Sequence, residues 1–241
     1  MRGIILSGGS GTRLKPLTNV TSKQLLPIYN RPMIYYPLNT LIKAGIKEIL
    51  IIVAPERAGD YLNLLGSGSK FGVRLTYEIQ DKPAGLPQAF TIAKNFIDDE
   101  NVAMILGDNL FEDDFSEQIK NFKSGGQVFA KKVSDPERSG VVKFNDKMEA
   151  EVIVEKPQKW VSDYAVVGMY LYDSRVVKVA ENLKPSARGE LEICDLHNWY
   201  LKKGELKVAE VKGEWHDAGT IESYHQAQIF AKEKLQQQLV I

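Results

Sequence analysis

Between residues 3 and 106, apolar runs of strand length alternate with segments of helical period, and this alternation constrains the fold most. Residues 3–7, 48–53, 74–80 and 102–106 read as strands. Residues 32–44, 55–65 and 86–96 read as helices, the last with Ala89, Ile92, Ala93 and Phe96 at helical spacing. The strands come in βαβαβ order. Followed in turn by helices, they predict an α/β fold with a mainly parallel, Rossmann-like sheet flanked by helices. Right-handed crossovers then put the carboxyl ends of the strands, and any ligand, along one edge. The second half is β-rich: 127–133, 140–145, 150–155, 165–172 and 206–211 read as strands, and 174–183, 191–202 and 220–239 as helices. The 241 residues show no repeat, low-complexity tract or long linker. They are expected to form a single domain, 1–241, with one part over about 1–125 and a second over about 126–241.

Charge and cysteine content exclude several classes. Thirty-one basic and 31 acidic residues give a formal net charge of zero. No electrostatic footprint for nucleic acid is present, although local clusters can still hold an anion. Cys194 is the only cysteine, so an intramolecular disulfide and a multi-cysteine zinc site are both excluded. It reads as a small buried hydrophobe in a helix. His197, His216 and His225 show no zinc spacing and read as structural or surface residues. The opening Met1-Arg2-Gly3-Ile4-Ile5-Leu6 is too short an apolar run for a signal peptide, and no stretch approaches the roughly 20 apolar residues of a membrane span. The expectation is a cytoplasmic protein with neither nucleic-acid nor membrane partners.

The first strand runs directly into Gly8-Gly9-Ser10-Gly11-Thr12-Arg13-Leu14. Glycines let a backbone approach a ligand closely, and turned N–H groups can cradle phosphate oxygens. Arg13 and Leu14 stand where a Walker A loop would need its later Gly and Lys, and Leu14 replaces the last glycine of a dinucleotide fingerprint. A generic glycine turn stays open at this point. Arg13 adds a bidentate fork suited to phosphate, and Lys23 follows in Ser22-Lys23-Gln24. Asp108 follows the fourth strand, where open α/β sheets hold ligands, and Asp217 precedes the last helix. Two such aspartates suit a hard cation if the fold joins them; otherwise they are turn or cap residues.

The segment GGSGTRLKPLTNVTSKQLLPIYNRPMIYYPL resembles the N-terminal signature of sugar nucleotidyltransferases, and SKQLLPIYNRPMIYYPL favours their thymidylyltransferases over uridylyl and adenylyl relatives. The likeness continues through most of the chain. It implies a nucleotide-diphospho-sugar transferase fold, with nucleotide binding over about 1–125 and sugar binding over about 126–241. It implies transfer of a nucleotidyl group from dTTP to glucose 1-phosphate, giving dTDP-glucose and pyrophosphate. Arg13, Lys23 and Lys156 become the catalytic cations. Leu6, Gly8, Gly9, Gly11, Thr12, Arg13, Gln80, Gly85 and Asp108 become nucleotide-binding positions. Asn109, Gly140, Glu155, Lys156, Val167, Arg188 and Trp215 match positions that bind the sugar or its phosphate. Asp108 and Asp217 become the ligands of Mg²⁺.

The resemblance further implies a homo-oligomer and a place in nucleotide-sugar biosynthesis, with the dTDP-rhamnose pathway as an example. Many bacterial thymidylyltransferases carry a further helical segment that helps form a regulatory nucleotide site. The sequence stops soon after the 220–239 helix, so weak or absent feedback by dTDP-rhamnose at such a site is expected. A UTP-using uridylyltransferase and a non-catalytic nucleotide-sugar binding module remain the alternatives. A nicotinamide dehydrogenase lacks its glycine fingerprint here.

Overall fold

A computed structural model of the chain describes residues 1–236. In chain order the strands and helices are β1 (Arg2–Ser7), β2 (Pro27–Ile28), β3 (Arg31–Pro32), α1 (Tyr35–Lys43), β4 (Glu48–Val53), α2 (Ala58–Leu65), β5 (Arg74–Ile79), α3 (Gln88–Ile92), α4 (Lys94–Ile97), β6 (Val102–Leu106), β7 (Asn109–Phe111), α5 (Ser116–Asn121), β8 (Gly126–Lys132), β9 (Gly140–Phe144), β10 (Ala150–Glu155), β11 (Tyr164–Tyr172), α6 (Arg175–Glu181), α7 (Ile193–Leu201), β12 (Leu206–Glu210), β13 (Trp215–Asp217) and α8 (Ile221–Phe230). They group into two compact units. One comprises Met1–Pro83, Met104–Asn121 and the segment from Gly213 onward; the other comprises Ala84–Ala103 and Phe122–Lys212.

In the first unit β1, β4 and β5 pair in parallel, with Gly3 opposite Ile49, Ser7 opposite Val53, and Glu48 opposite Arg74. The central strand explains the pairing. Ile49, Leu50, Ile51, Ile52 and Val53 of β4 are all buried, as a parallel strand covered on both faces requires. On the other side β6 neighbours β1. The Gly107 N–H donates to the Leu6 carbonyl (3.0 Å), tying the ends of these two strands together. Helix α1 stops where Gly45, at φ +84°, turns the chain. A second apolar cluster gathers Leu14, Leu26, Ile28, Met33 and Leu110 against Tyr224, Ala227 and Phe230 of α8. Thr220 and Ser223 close a capping box at the start of α8, fixing where that helix begins.

The second unit is mostly antiparallel. β8 pairs antiparallel with β11 and parallel with β12; β9 pairs antiparallel with β10 and touches β11 at Val141–Ala165. Between Val166 and Tyr170 the register of β11 on β8 shifts, a bulge that includes Val167. Helix α7 buries Cys194, Leu196, His197 and Tyr200.

The strands at 48–53, 102–106 and 150–155 stand as expected, and most others differ by a residue or two. Three helices differ more. The 32–44 segment becomes helical only at Tyr35, because Arg31 and Pro32 pair with Ile28 and Pro27. The 86–96 segment divides at Ala93, with ψ near 7°. There the Thr91 hydroxyl donates back to the Gln88 carbonyl (2.9 Å), a contact that bends helices. The 220–239 helix is α-helical over Ile221–Phe230 and continues as a wider turn over Ala231–Leu235; residues 237–239 lie outside the described residues. Among the described residues no helix is long and apolar enough to cross a membrane.

Candidate active site

The glycine loop leaves β1 and enters a short 3-10 turn, Thr12–Leu14. Gly11 sits at φ +63°, a conformation that favours glycine. The Leu14 side chain is fully buried in the α8 cluster, so its neighbours Thr12 and Arg13 face outward and remain exposed. A buried leucine thus holds the arginine out for a ligand. Gly8 has a different constraint: a Cβ there would stand 2.0 Å from Gln80 Oε1. Gln80, only 3% exposed at the end of β5, therefore lies against the glycine turn. Gly9 is open, with none of the described residues within 4 Å of its missing Cβ.

Lys23 sits in its own 3-10 turn, held from behind by the buried Gln24. The Gln24 carbonyl accepts from Ile34 N–H (2.8 Å), and its side-chain oxygen accepts from Ser22 Oγ (2.9 Å). From that anchored turn the Lys23 ammonium donates to Asp108 Oδ2. Both side chains are close to nine-tenths buried. Burial by itself would raise the Asp108 carboxyl; the charge and hydrogen bond of Lys23 overcome it and hold the group below the usual carboxylate range.

Asp217 reaches the same place by strand pairing. β13 runs antiparallel to β7 and sets Asp217 opposite Asn109, the residue after Asp108. The Ala218 N–H then donates to the Asp108 carbonyl (2.9 Å). Asn109 Nδ2 donates to Asp108 Oδ1 (3.1 Å), while its Oδ1 accepts from Trp215 Nε1 (2.7 Å). A polar chain therefore runs from the indole through Asn109 to Asp108. Asp217 keeps solvent access although protein crowds its carboxyl group. That crowding, then the negative charge of Asp108, pushes the Asp217 carboxyl up to about 7, with Lys23 and Arg13 pulling the other way. Arg13 Nη2 lies 3.1 Å from where a Cβ on Gly219 would be, and Asp217 Oδ1 lies 2.8 Å from that point.

Two carboxylates in mutual repulsion, one solvent-accessible, are a donor set that a divalent cation relieves. Among the described residues no group of three or more His, Cys, Asp or Glu residues could hold a metal. Two hard oxygen donors, with phosphates and water completing the shell, is the pattern Mg²⁺ accepts. The pair fits that ion.

Apart from Leu6 of β1, the remaining predicted positions lie in the second unit, where Gly140, Glu155, Lys156 and Arg188 make a cluster of their own. Gly140 of β9 stands opposite Glu155 of β10. A Cβ on Gly140 would come within 3.0 Å of Cys194 Sγ and 3.3 Å of Glu155 Oε2. Lys156 follows at φ +43°, an uncommon backbone for a side chain of this length, pinned by its N–H to the Ser139 carbonyl (3.1 Å). Its ammonium is half exposed and 3.9 Å from Glu155 Oε1. Strain of this kind clusters at binding positions. Arg188 is committed to protein carboxylates: Nε and Nη2 donate to the two oxygens of Glu192 (3.1 and 2.7 Å), and Nη2 is 3.7 Å from Glu155 Oε1. Gly85, at φ +104°, lies against Leu191, whose N–H donates to the Ala84 carbonyl (2.8 Å). Val167 is fully buried.

Sequence reasoning missed Gln24, Glu192 and the thiol contact of Cys194. None of the three carried a signal: Gln24 stands among Ser22 and Lys23 at the polar edge of Leu25 and Leu26.

A family profile described as nucleotidyl transferase matches residues 2–234. The chain belongs to that family. The chain is similar to glucose-1-phosphate thymidylyltransferases from Neisseria meningitidis, 52% identical over 96% of this chain and 83% of the relative, and from Mycolicibacterium smegmatis, 48% identical over 96% and 82%. A Bacillus anthracis crystal structure assigned as a glucose-1-phosphate thymidylyltransferase, in complex with a sucrose, superposes with a TM-score of 0.91 at 47% identity over 97% of this chain and 96% of that one. The chain is thus a nucleotidyltransferase of mixed α/β fold with a mostly parallel central sheet.

Proposed function

We propose that this nucleotidyltransferase transfers a thymidylyl group from dTTP to glucose 1-phosphate, giving dTDP-glucose and pyrophosphate. The observation that carries the reading is the grouping of Arg13, Lys23, Asp108 and Asp217 around one glycine turn, with the buried Gln80 against it. The relatives at 46–52% identity share that named activity.

A phosphate oxygen of glucose 1-phosphate attacks the α-phosphorus of dTTP. The bond from that phosphorus to the oxygen bridging to the β-phosphate breaks, and pyrophosphate leaves. The nucleophile is already an anion, so no general base is needed. The chain's task is to gather anions and stabilise charge as it shifts. Arg13 binds the leaving pyrophosphate with its fork. Lys23, stationed on Asp108, contacts the phosphates. Lys156 neutralises and orients the sugar phosphate, and Glu155 accepts from sugar hydroxyls. Gln80 reads the pyrimidine edge with its paired donor and acceptor. Each cation within 4 Å of a phosphate charge contributes about 4 kcal/mol of attraction at an effective dielectric of 20. Asp108 and Asp217 would hold Mg²⁺, which when bound supplies positive charge to the triphosphate. The same reading carries a cytoplasmic homo-oligomer whose product enters nucleotide-sugar biosynthesis, the dTDP-rhamnose route included.

The test is incubation of the purified protein with Mg²⁺, glucose 1-phosphate and each nucleoside triphosphate in turn, measuring pyrophosphate and nucleotide-sugar together. dTTP is expected to give the highest kcat/KM. Binding of dTDP-glucose without pyrophosphate release from any triphosphate would overturn the reading.

A further inference from the structure

Glu155, the proposed acceptor for sugar hydroxyls, is not free to turn. Its Oε2 accepts from the Cys194 thiol (Sγ to O 3.2 Å), and its Oε1 faces Arg188 Nη2 (3.7 Å) and Lys156 Nζ (3.9 Å). The two oxygens therefore have different surroundings. One meets a neutral donor on α7; the other faces the cations expected to meet an anionic substrate. Cys194 is 3% exposed, while the Glu155 side chain is 25% exposed, so the thiol lies behind the carboxylate and away from solvent. Gly140 completes the fit. Its missing Cβ leaves the gap in which sulfur and carboxylate meet, and it faces Glu155 across the β9–β10 ladder. Three elements, β9, β10 and α7, thus bring one residue each to this contact.

We infer that Cys194 is a positioning residue for the sugar phosphate: by donating to Glu155 Oε2 it fixes the carboxylate with Oε1 presented to a substrate hydroxyl. This inference rests on the reading of Glu155 given above. Without that donor the carboxylate is held on the Oε1 side alone, by ion pairs of 3.7 and 3.9 Å to cations that also face the substrate, and its last torsion loses its aim. Burial and the neighbouring carboxylates raise the thiol well above its ordinary value, which keeps the S–H in place as that donor. Cys194 touches no substrate in this scheme. It acts through Glu155.

The test compares Cys194→Ala, Cys194→Ser, Glu155→Gln and the Glu155→Gln/Cys194→Ala pair. Pyrophosphate release is followed with glucose 1-phosphate varied at saturating dTTP, then the reverse. In Cys194→Ala, kcat/KM for glucose 1-phosphate falls about tenfold, mostly through KM, the scale of one hydrogen bond to a charged group. KM for dTTP stays within about twofold, and Cys194→Ser, which restores a donor, recovers to within about threefold of the parent. The double variant is no worse than Glu155→Gln alone, as two residues acting through one contact require. If Ala lowers the thermal midpoint, Cys194→Val replaces it, filling the space without a donor. An unchanged KM for glucose 1-phosphate in Cys194→Ala, or a serine variant as impaired as alanine, overturns the inference while Glu155→Gln remains impaired. A Glu155→Gln enzyme with the parent's KM for glucose 1-phosphate removes the reading of Glu155 itself, and this inference falls with it.

Discussion

His197 on α7 is fully buried, and among the described residues neither ring nitrogen has a hydrogen-bond partner. Tyr170 and Tyr172 pack against its ring, with centroids 5.5 and 6.1 Å away. Burial lowers its pKa to about 3, so the folded protein holds it neutral. In the unfolded chain it titrates near 6.5. Because the folded value is the lower one, the unfolded state binds the extra proton first. The stability that depends on a neutral His197 is complete above about pH 6.5 and is lost as the pH falls from there toward 3. The slope is about 1.4 kcal/mol per pH unit, so the loss from this residue reaches about 2 kcal/mol by pH 5. Replacing it with methionine, an apolar chain of similar volume, removes the titration. Urea unfolding of the parent and of His197→Met at pH 7.5, 6 and 5 gives the readout. The stability difference between the two proteins is expected to move by about 2 kcal/mol in favour of methionine between pH 7.5 and 5. His216 and His225 are common to both and cancel. Two curves that stay parallel over this range would refute a buried, neutral imidazole.

Arg13→Ala is expected to lower kcat at least about 100-fold with an unchanged circular dichroism spectrum, the scale of one key donor to transition-state charge; normal turnover in the folded variant sinks its proposed role. Gly85→Ala places a methyl 2.1 Å from the Leu191 carbonyl at φ +104°, and is expected to cost more than about 2 kcal/mol in urea unfolding. A stable alanine variant would show that this backbone can relax. Chelation by EDTA is expected to abolish turnover and added Mg²⁺ to restore it, with Asp217→Asn needing a higher Mg²⁺ concentration; full activity in EDTA would remove the ion from the scheme.

The strand-length runs at 48–53 and 102–106 were legible because β4 and β6 are short, apolar and punctuated by turn residues, so local pattern and tertiary burial agree. The glycine loop was legible as a turn, which Gly11 at φ +63° makes; its reading as a phosphate cradle came with the likeness to a family. The joining of Asp108 to Asp217 was not. It depends on β7 and β13, three residues each and too short to show a period. The likeness to a family supplied the pairing; composition did not. Arg188 shows another limit. A lone arginine carries no record of its partner, and the bidentate grip of Glu192 is made by the fold. Cys194 read correctly as a buried helical residue, but burial says nothing of a carboxylate 39 positions earlier in the chain.

The β7–β13 ladder joins residues 106 positions apart, as the Trp215–Asn109 contact measures. Closing a loop of that length costs about 4 kcal/mol of chain entropy, so the acidic pair cannot assemble early or locally. On the ribosome, a nascent chain that has exposed Asp108 but not yet Asp217 holds half of the acidic pair. Nucleotide and metal would then reward only a polypeptide made through β13 and docked. Ligand binding would thus favour chains that extend at least through β13, shielding them from proteolysis while leaving shorter ones unprotected.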